Sequence, residues 1–160
     1  ENRPAVAACK DADQYLVTWT SNQSNEGTPN DAIYGRFIGG NGTPGSVHEI
    51  ADVSTNDRNS NVTCNDDGTQ YLVAWQVVYT NFSWGIWSRL VNPKGALDGT
   101  LEPGFEIVSP YSNKDRTNVA LAGGKITYLA VWEHFRDSFQ NIHGRMMLAG
   151  EKTYLPLIQR

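Results

Sequence analysis

Two stretches of the chain carry side chains that could bind a ligand. The first places the aromatic residues Tyr79, Phe82 and Trp84 in a segment where a polar loop is expected. The second, residues 133–137, brings a carboxylate, an imidazole and a guanidinium together. A flat aromatic face beside hydrogen-bonding groups is what sugar-binding and protein-binding sites use. We therefore predict a ligand-binding surface made of Tyr79, Phe82, Trp84, Glu133, His134, Arg136 and Asp137.

Each of these predictions has an alternative. The three aromatic side chains could instead fold back over the edge of a sheet or fill the seam between two copies of the chain. A hydrolase of the glycosidase type would need several carboxylates and His134 to converge on one axial site. No motif marks a serine or cysteine as a nucleophile. We therefore favour a non-catalytic binding module for carbohydrate or protein over an enzyme, with a purely structural, self-assembling role as the third possibility.

Charge and composition argue against several classes of partner and cofactor. The chain has 160 residues and a net charge of −4, with no cluster of Lys and Arg, so nucleic acid is not an expected partner. No apolar run approaches the ~20 residues of a membrane-spanning helix, so no membrane association is expected. The acidic turns at 11–13 and 66–68 lack the ligand number and spacing of a calcium loop. We expect neither a metal nor a cofactor.

The elements that must position the candidate residues are repeated. The segment Tyr15–Trp19 returns as Tyr71–Trp75 and Tyr128–Trp132, at spacings of 56 and 57 residues. No window shows the apolar period of a helix, so almost no helix is expected. Each repeat reads as four short antiparallel strands joined by hairpins, which is typical of a β-propeller blade. We predict a single all-β domain over 1–160, with blades at about 2–55, 56–113 and 114–160, the last ending in a short strand at 154–158.

Three blades do not close a ring. An open stack would leave the outer faces of the first and third blades exposed as apolar patches. A two-fold symmetric homodimer would cover both faces by packing blade three of each copy on blade one of the other. The prediction is therefore a β-propeller with three four-stranded antiparallel blades per chain, closed into a six-bladed ring by a homodimer.

Residues that recur in every repeat are predicted to be structural. The tryptophan that ends each of the three repeated segments is expected to pack between blades. Arg3, Arg58 and Arg116 recur at the start of the repeats and are expected to form ion pairs between blades. The alternative is that these arginines line a central channel and bind an anion there.

The two cysteines are predicted to stay apart. With the repeats aligned on Val6, Val62 and Val119, Cys9 and Cys64 fall one position apart. Strand alternation then points them to opposite faces. We therefore expect two free, mostly buried thiols and no disulfide.

The repeated pattern carries a resemblance. Tyr-Leu-Val/Ala-x-Trp, then Ile-x-Gly/Ser-Arg, with an Asp/Asn-Arg pair opening each unit, resembles the repeats of bacterial β-propeller proteins of undefined activity. The resemblance covers all three repeats. Such proteins are often secreted or exposed on the cell surface, so it favours that location over the cytoplasm. It implies no catalytic residue, and this chain departs from it because such proteins usually carry a full ring in one chain.

Overall fold

The computed structural model describes residues 2–22, 31–51, 56–79, 83–93, 100–101, 104–111, 116–136 and 139–148. At 100–101, 109–111, 116–117, 134–136 and 139–140 only the backbone is described. These ranges form twelve β-strands and contain no helix, hence none that is long and apolar enough to cross a membrane. The prediction of an all-β chain is confirmed. The short strand expected at 154–158 lies outside the described residues.

The strands form three antiparallel sheets, each built from one consecutive stretch of chain. Sheet 1 has the order β1-β2-β3-β4, from β1 (Asn2–Cys9), β2 (Gln14–Ser21), β3 (Ala32–Gly39) and β4 (Pro44–Ala51). Sheet 2 contains β5 (Asn56–Cys64), β6 (Tyr71–Val78), β7 (Trp84–Asn92), β8 (Thr100–Leu101) and β9 (Phe105–Tyr111), with both β8 and β9 paired to β7. Sheet 3 has the order β10-β11-β12, from β10 (Arg116–Gly123), β11 (Thr127–Arg136) and β12 (Phe139–Leu148).

The three sheets stack face to face with sheet 2 in the middle. β5 contacts β1, β2 and β3 on one side, and β10 contacts β5, β6 and β7 on the other. Because alternate residues of a strand point to opposite faces, β6 is shared between two cores. Tyr71, Val73 and Trp75 pack in the core with sheet 1, while Leu72 and Ala74 pack in the core with sheet 3. The middle strand is therefore buried on both faces, whereas β2 alternates between buried and more exposed residues.

The repeated tryptophans lie where these cores form. Trp75 and Trp132 are buried, as predicted for residues between stacked sheets. The Trp75 indole N–H donates to the Asp57 carboxylate at 3.1 Å. Trp19 is half-buried on the outer face of sheet 1, where its ring stacks on Tyr34 with centroids 6.4 Å apart. The same tryptophan position is thus a core position in sheets 2 and 3 and a surface position in sheet 1.

Cys9 and Cys64 form a disulfide that joins the end of β1 to the end of β5, with Cα atoms 5.4 Å apart. The prediction of two free thiols is wrong. The two side chains do point to opposite faces when their sheets are superimposed, as the alternation predicts. Stacked sheets, however, meet through opposite faces, so the two cysteines face each other. Cys9 lies on the face of sheet 1 towards sheet 2, and Cys64 lies on the face of sheet 2 towards sheet 1. Because a cross-link between residues 55 apart lowers the entropy of the unfolded chain, it stabilises the folded state by about 4 kcal/mol.

The third repeat enters its sheet two residues out of step with the sequence alignment. The position that Val62 holds opposite the second strand of sheet 2 is taken in sheet 3 by Leu121 and not by Val119. The cause is the hairpin that follows, which contains residues 66–69 in sheet 2 but only 125–126 in sheet 3. Structural equivalence between the sheets is therefore read from strand pairing below.

Candidate functional site

A cavity of about 590 Å³ opens at the end of the stack where the first strand of each sheet begins. All three repeats contribute to its lining, and we call it the inter-sheet pocket. The first repeat supplies Asn2, Arg3, Thr20 and Asp31. The second supplies Arg58, Asn59, Gln76 and Trp84, and the third supplies Asn118.

Three equivalent residues mark this end of the stack because of an irregularity in every first strand. Arg3, Asn59 and Asn118 have φ angles of 52°, 56° and 53°, in the left-handed region. Each lies where the pairing of the first strand with the second shifts register, as at a β-bulge. Asparagine tolerates this conformation better than most residues, which fits two of the three positions. The bulges bring three polar side chains of the repeat to one pocket.

Hydrogen bonds between sheets 1 and 2 and within sheet 2 hold the polar lining in place. The Arg3 guanidinium donates to Asn59 Oδ1 at 2.5 Å, and Asn59 Nδ2 donates to Gln76 Oε1 at 2.8 Å. The Arg58 guanidinium forms an ion pair with Asp31 at 2.5 Å. This pair joins sheet 2 to the first repeat, so the predicted ion pair between repeats is confirmed for Arg58. Since this pair neutralises both of its charges, the Arg3 guanidinium and the amides of Asn2, Gln76 and Asn118 supply the remaining polar groups of the described lining.

Thr20 supplies a hydrogen-bonding group that the protein itself leaves unused. Its side chain lines the pocket and is only 3% exposed. Its hydroxyl finds no hydrogen-bond partner among the described residues. A buried hydroxyl without a partner costs about 1–3 kcal/mol, so a ligand that bonds to it gains that energy back. Among the described lining residues, Thr20 is therefore the one whose side chain would gain most from a hydrogen bond to a polar ligand.

Trp84 is the one aromatic side chain among the described residues of the lining, and the sequence predicted it for the site. It opens β7 and is half-buried. The indole gives one wall of an otherwise polar pocket an apolar face. The pocket thus combines an aromatic surface with amide, guanidinium and hydroxyl groups.

Two other predicted site residues, Tyr79 and Glu133, are not among the described residues of this lining. Tyr79 folds back onto the core, where its hydroxyl accepts a hydrogen bond from Trp87 Nε1 at 2.9 Å. Burial raises the pKa of Tyr79 above its ordinary value. Glu133 is half-buried and pairs with Thr117, at the register position that Thr20 and Gln76 hold in the other two sheets.

Four predicted residues cannot be placed in this way. Phe82 and Asp137 lie outside the described residues, and so do the side chains of His134 and Arg136. The backbones of these last two continue β11 beyond Glu133.

Several lining residues had no signal strong enough to single them out in the sequence. The left-handed Asn59 and Asn118 are ordinary polar residues until the bulge places them. Their one clue was their residue type, because Asn adopts the left-handed conformation more readily than most other residues. Thr20 looked like the end of a strand.

Within the described part of the chain, no group of three or more His, Cys, Asp or Glu side chains is arranged to hold a metal ion.

Comparison with protein-family models, curated proteins and solved structures found no match to this chain.

Proposed function

We propose that this protein is a non-catalytic carbohydrate-binding module and that the inter-sheet pocket is its binding site. The observation that carries the proposal is the lining itself, in which Trp84 lies beside several amide side chains and beside Thr20, whose buried hydroxyl has no partner among the described residues. Sugars combine hydroxyl groups, which donate and accept hydrogen bonds, with apolar C–H faces. The lining offers partners for both kinds of surface.

The polar groups of the lining suit a hydroxyl-rich ligand. Arg58 is paired with Asp31, whereas Arg3 bonds only to the neutral Asn59 amide and keeps further N–H donors for ligand hydroxyl oxygens. The amide groups of Asn2, Gln76 and Asn118 each contain a donor and an acceptor, as a hydroxyl-rich ligand requires. A cavity of about 590 Å³ also falls within the range of ordinary small-ligand sites.

We also propose that the three sheets are blades of a β-propeller and that a homodimer closes a six-bladed ring. The face-to-face stacking, with the first strands of neighbouring sheets in contact, supports this arrangement. The repeated Tyr-Leu-Val/Ala-x-Trp pattern supports it independently. The disulfide between Cys9 and Cys64 supports a secreted or cell-surface location, because disulfides persist in oxidising compartments.

The ligand proposal is tested by screening the protein on a glycan array and measuring the best-bound glycan by titration calorimetry. Trp84→Ala removes the aromatic wall, and Thr20→Val removes the hydroxyl while keeping a similar shape. Each variant is expected to bind about 5- to 30-fold more weakly, since a lost aromatic contact or a lost buried hydrogen bond is worth about 1–2 kcal/mol.

Thr43→Val is the matched control, because Thr43 is an exposed threonine in the turn between β3 and β4, outside the pocket lining. It is expected to bind like the unaltered protein. An array on which no glycan is bound contradicts the proposal and favours a protein ligand. Full affinity in both pocket variants contradicts the assignment of the site.

A further inference from the structure

Sheet 1 presents to solvent a face that sheets 2 and 3 bury. Tyr15, Tyr71 and Tyr128 hold the same position in the three repeats, yet their side chains are 44%, 0% and 1% exposed. On the first strands, Val6 is 62% exposed while the equivalent Val62 is 5% exposed. In sheets 2 and 3 this face is covered by the preceding sheet. The corresponding face of sheet 1 carries the same tyrosine and valine, but none of the described strands covers it.

Sheet 3 shows the complementary situation. Leu16 and Leu72 pack against the following sheet and are 1% and 0% exposed. Their equivalent in sheet 3, Leu129, is 37% exposed, and Ile142 on the same face is 62% exposed. The two ends of the stack are therefore the two halves of one type of interface, which the chain forms twice within itself.

A hydrogen bond fixes how these halves fit. Tyr71 donates its hydroxyl to the carbonyl of Gln14, and Tyr128 donates to the carbonyl of Gln70, both at 2.9 Å. In each case the acceptor is the residue just before the equivalent tyrosine of the preceding sheet. By the same rule, Tyr15 requires the carbonyl of the residue before Tyr128, which is Thr127.

We propose that a second copy of this chain packs its sheet 3 on sheet 1 head to tail, with the Tyr15 hydroxyl donating to the Thr127 carbonyl of that copy. The inference rests on the proposed six-bladed ring and specifies which faces close it. The junction continues the two interfaces that the chain already forms between its own sheets. A two-fold axis makes both junctions of the ring identical, so the assembly closes and leaves neither apolar face exposed.

The disulfide supplies a measure of how close the junction must be. By strand pairing, Ala8 is equivalent to Cys64, and Gly124 is equivalent to Cys9. The same close approach recurs between sheets 2 and 3. There a Cβ added at Gly123 of sheet 3 would lie 3.2 Å from the Cα of Asn65 in sheet 2. Ala8 and Gly124 of different copies should therefore lie as near to each other as the two native cysteines do, with Cα atoms 5.4 Å apart in the native pair.

The test is the double variant Ala8→Cys/Gly124→Cys, oxidised at a concentration where the dimer forms. We expect a covalent dimer on a non-reducing gel and a peptide linking position 8 of one chain to position 124 of the other by mass spectrometry. A Cβ at position 124 would lie 2.8 Å from Thr127 Oγ1, which a rotation of the threonine relieves. The native Cys9–Cys64 bond should remain.

The matched control is Ala8→Cys/Ala122→Cys. Ala122 is exposed on the same outer face as Gly124 but two residues along the strand, about 7 Å away. It is expected to cross-link at least tenfold less. Equal cross-linking in both pairs, or no link between positions 8 and 124, overturns the proposed junction.

Tyr15→Phe tests the same junction without altering the packing of the chain. Each junction loses one hydrogen bond, worth about fivefold, so the dimer with its two junctions is expected to dissociate about 25-fold more readily in sedimentation experiments. An unchanged dissociation constant overturns the proposal. A dimer in which positions 8 and 124 do not link would leave the homodimer standing but exclude this closure of the ring. Glycan binding is measured separately, on the pocket variants.

Discussion

Tyr71 and Tyr128 each join their own sheet to the preceding one through a buried phenol. Both phenols are buried, and burial raises the pKa of both groups well above the ordinary value of about 10. Their hydroxyls are the donors that tie sheet 2 to sheet 1 and sheet 3 to sheet 2. The loss of either phenolic proton would therefore break a hydrogen bond between neighbouring sheets.

The stability of the fold is expected to fall at alkaline pH for this reason. Above about pH 10 the unfolded chain loses these phenolic protons while the folded chain keeps them, so the contribution is fully present below pH 10 and is lost as the pH rises. Urea unfolding between pH 8 and 11 should show a decline of up to about 1.4 kcal/mol per pH unit for each tyrosine.

Tyr71→Phe provides the comparison for this pH dependence. It should cost about 1 kcal/mol at pH 8, because one hydrogen bond is lost, and it should make the decline above pH 10 shallower. A decline as steep as that of the unaltered protein would mean that other groups cause it.

At the scale of elements, equivalent leucines meet two different environments. Leu16 and Leu72 in their second strands are buried against the following sheet, whereas no sheet among the described residues covers the equivalent Leu129. Replacing either buried leucine by alanine is expected to cost about 2–5 kcal/mol. Leu129→Ala should cost under about 1 kcal/mol in the isolated chain, since its side chain is already partly in water.

This series is measured by urea unfolding at a protein concentration low enough for single chains to dominate. Leu72→Ala and Leu129→Ala form a matched pair, because they remove the same atoms from the same strand position. An equal loss of stability in both variants at that dilution would contradict the stacking order in which sheet 2 is the middle sheet.

The strands were predictable from sequence where one residue pattern decides the structure. Alternation and turn residues identify the segment Tyr15–Trp19 and its two copies as strands, because a strand needs only a local pattern. The disulfide between Cys9 and Cys64 needed the extra knowledge that neighbouring sheets meet through opposite faces. The shift at Leu121 needed the length of a hairpin, which the identity of the aligned residues does not reveal.

The candidate site was predictable only in part for a related reason. Trp84 stood out because an aromatic residue in a polar loop is unusual, and it does line the pocket. Thr20 and Asn59 became site residues only through three-dimensional arrangement: a buried position without a partner and a left-handed bulge. Neither the burial of Thr20 nor the bulge at Asn59 can be predicted from the residue type alone.

At the scale of the whole molecule, the stack is asymmetric in a way that its own repeats make visible. Sheet 2 is covered on both faces, and each outer sheet displays one face that its equivalents bury. Exposed apolar faces of this kind mark interaction surfaces in monomeric structures. The proposed closure by a second copy would cover both faces with the type of contact that the chain already forms between its own sheets, and it would bring the two inter-sheet pockets of the dimer to the same end of the ring.

Unfolding of the whole molecule is therefore expected to depend on protein concentration. The particle in solution should have twice the 17.7 kDa mass of one chain, and its melting temperature should rise by about 2 °C for each tenfold increase in concentration, because unfolding releases two chains. Leu129→Asp places a charge on the outer face of sheet 3 and should give a 17.7 kDa particle whose melting temperature is independent of concentration. Thr43→Asp adds the same charge at an exposed turn and should leave mass and concentration dependence unchanged. Sedimentation and calorimetry across a hundredfold range of concentration measure both properties, and a single-chain mass for the unaltered protein throughout that range would contradict the ring.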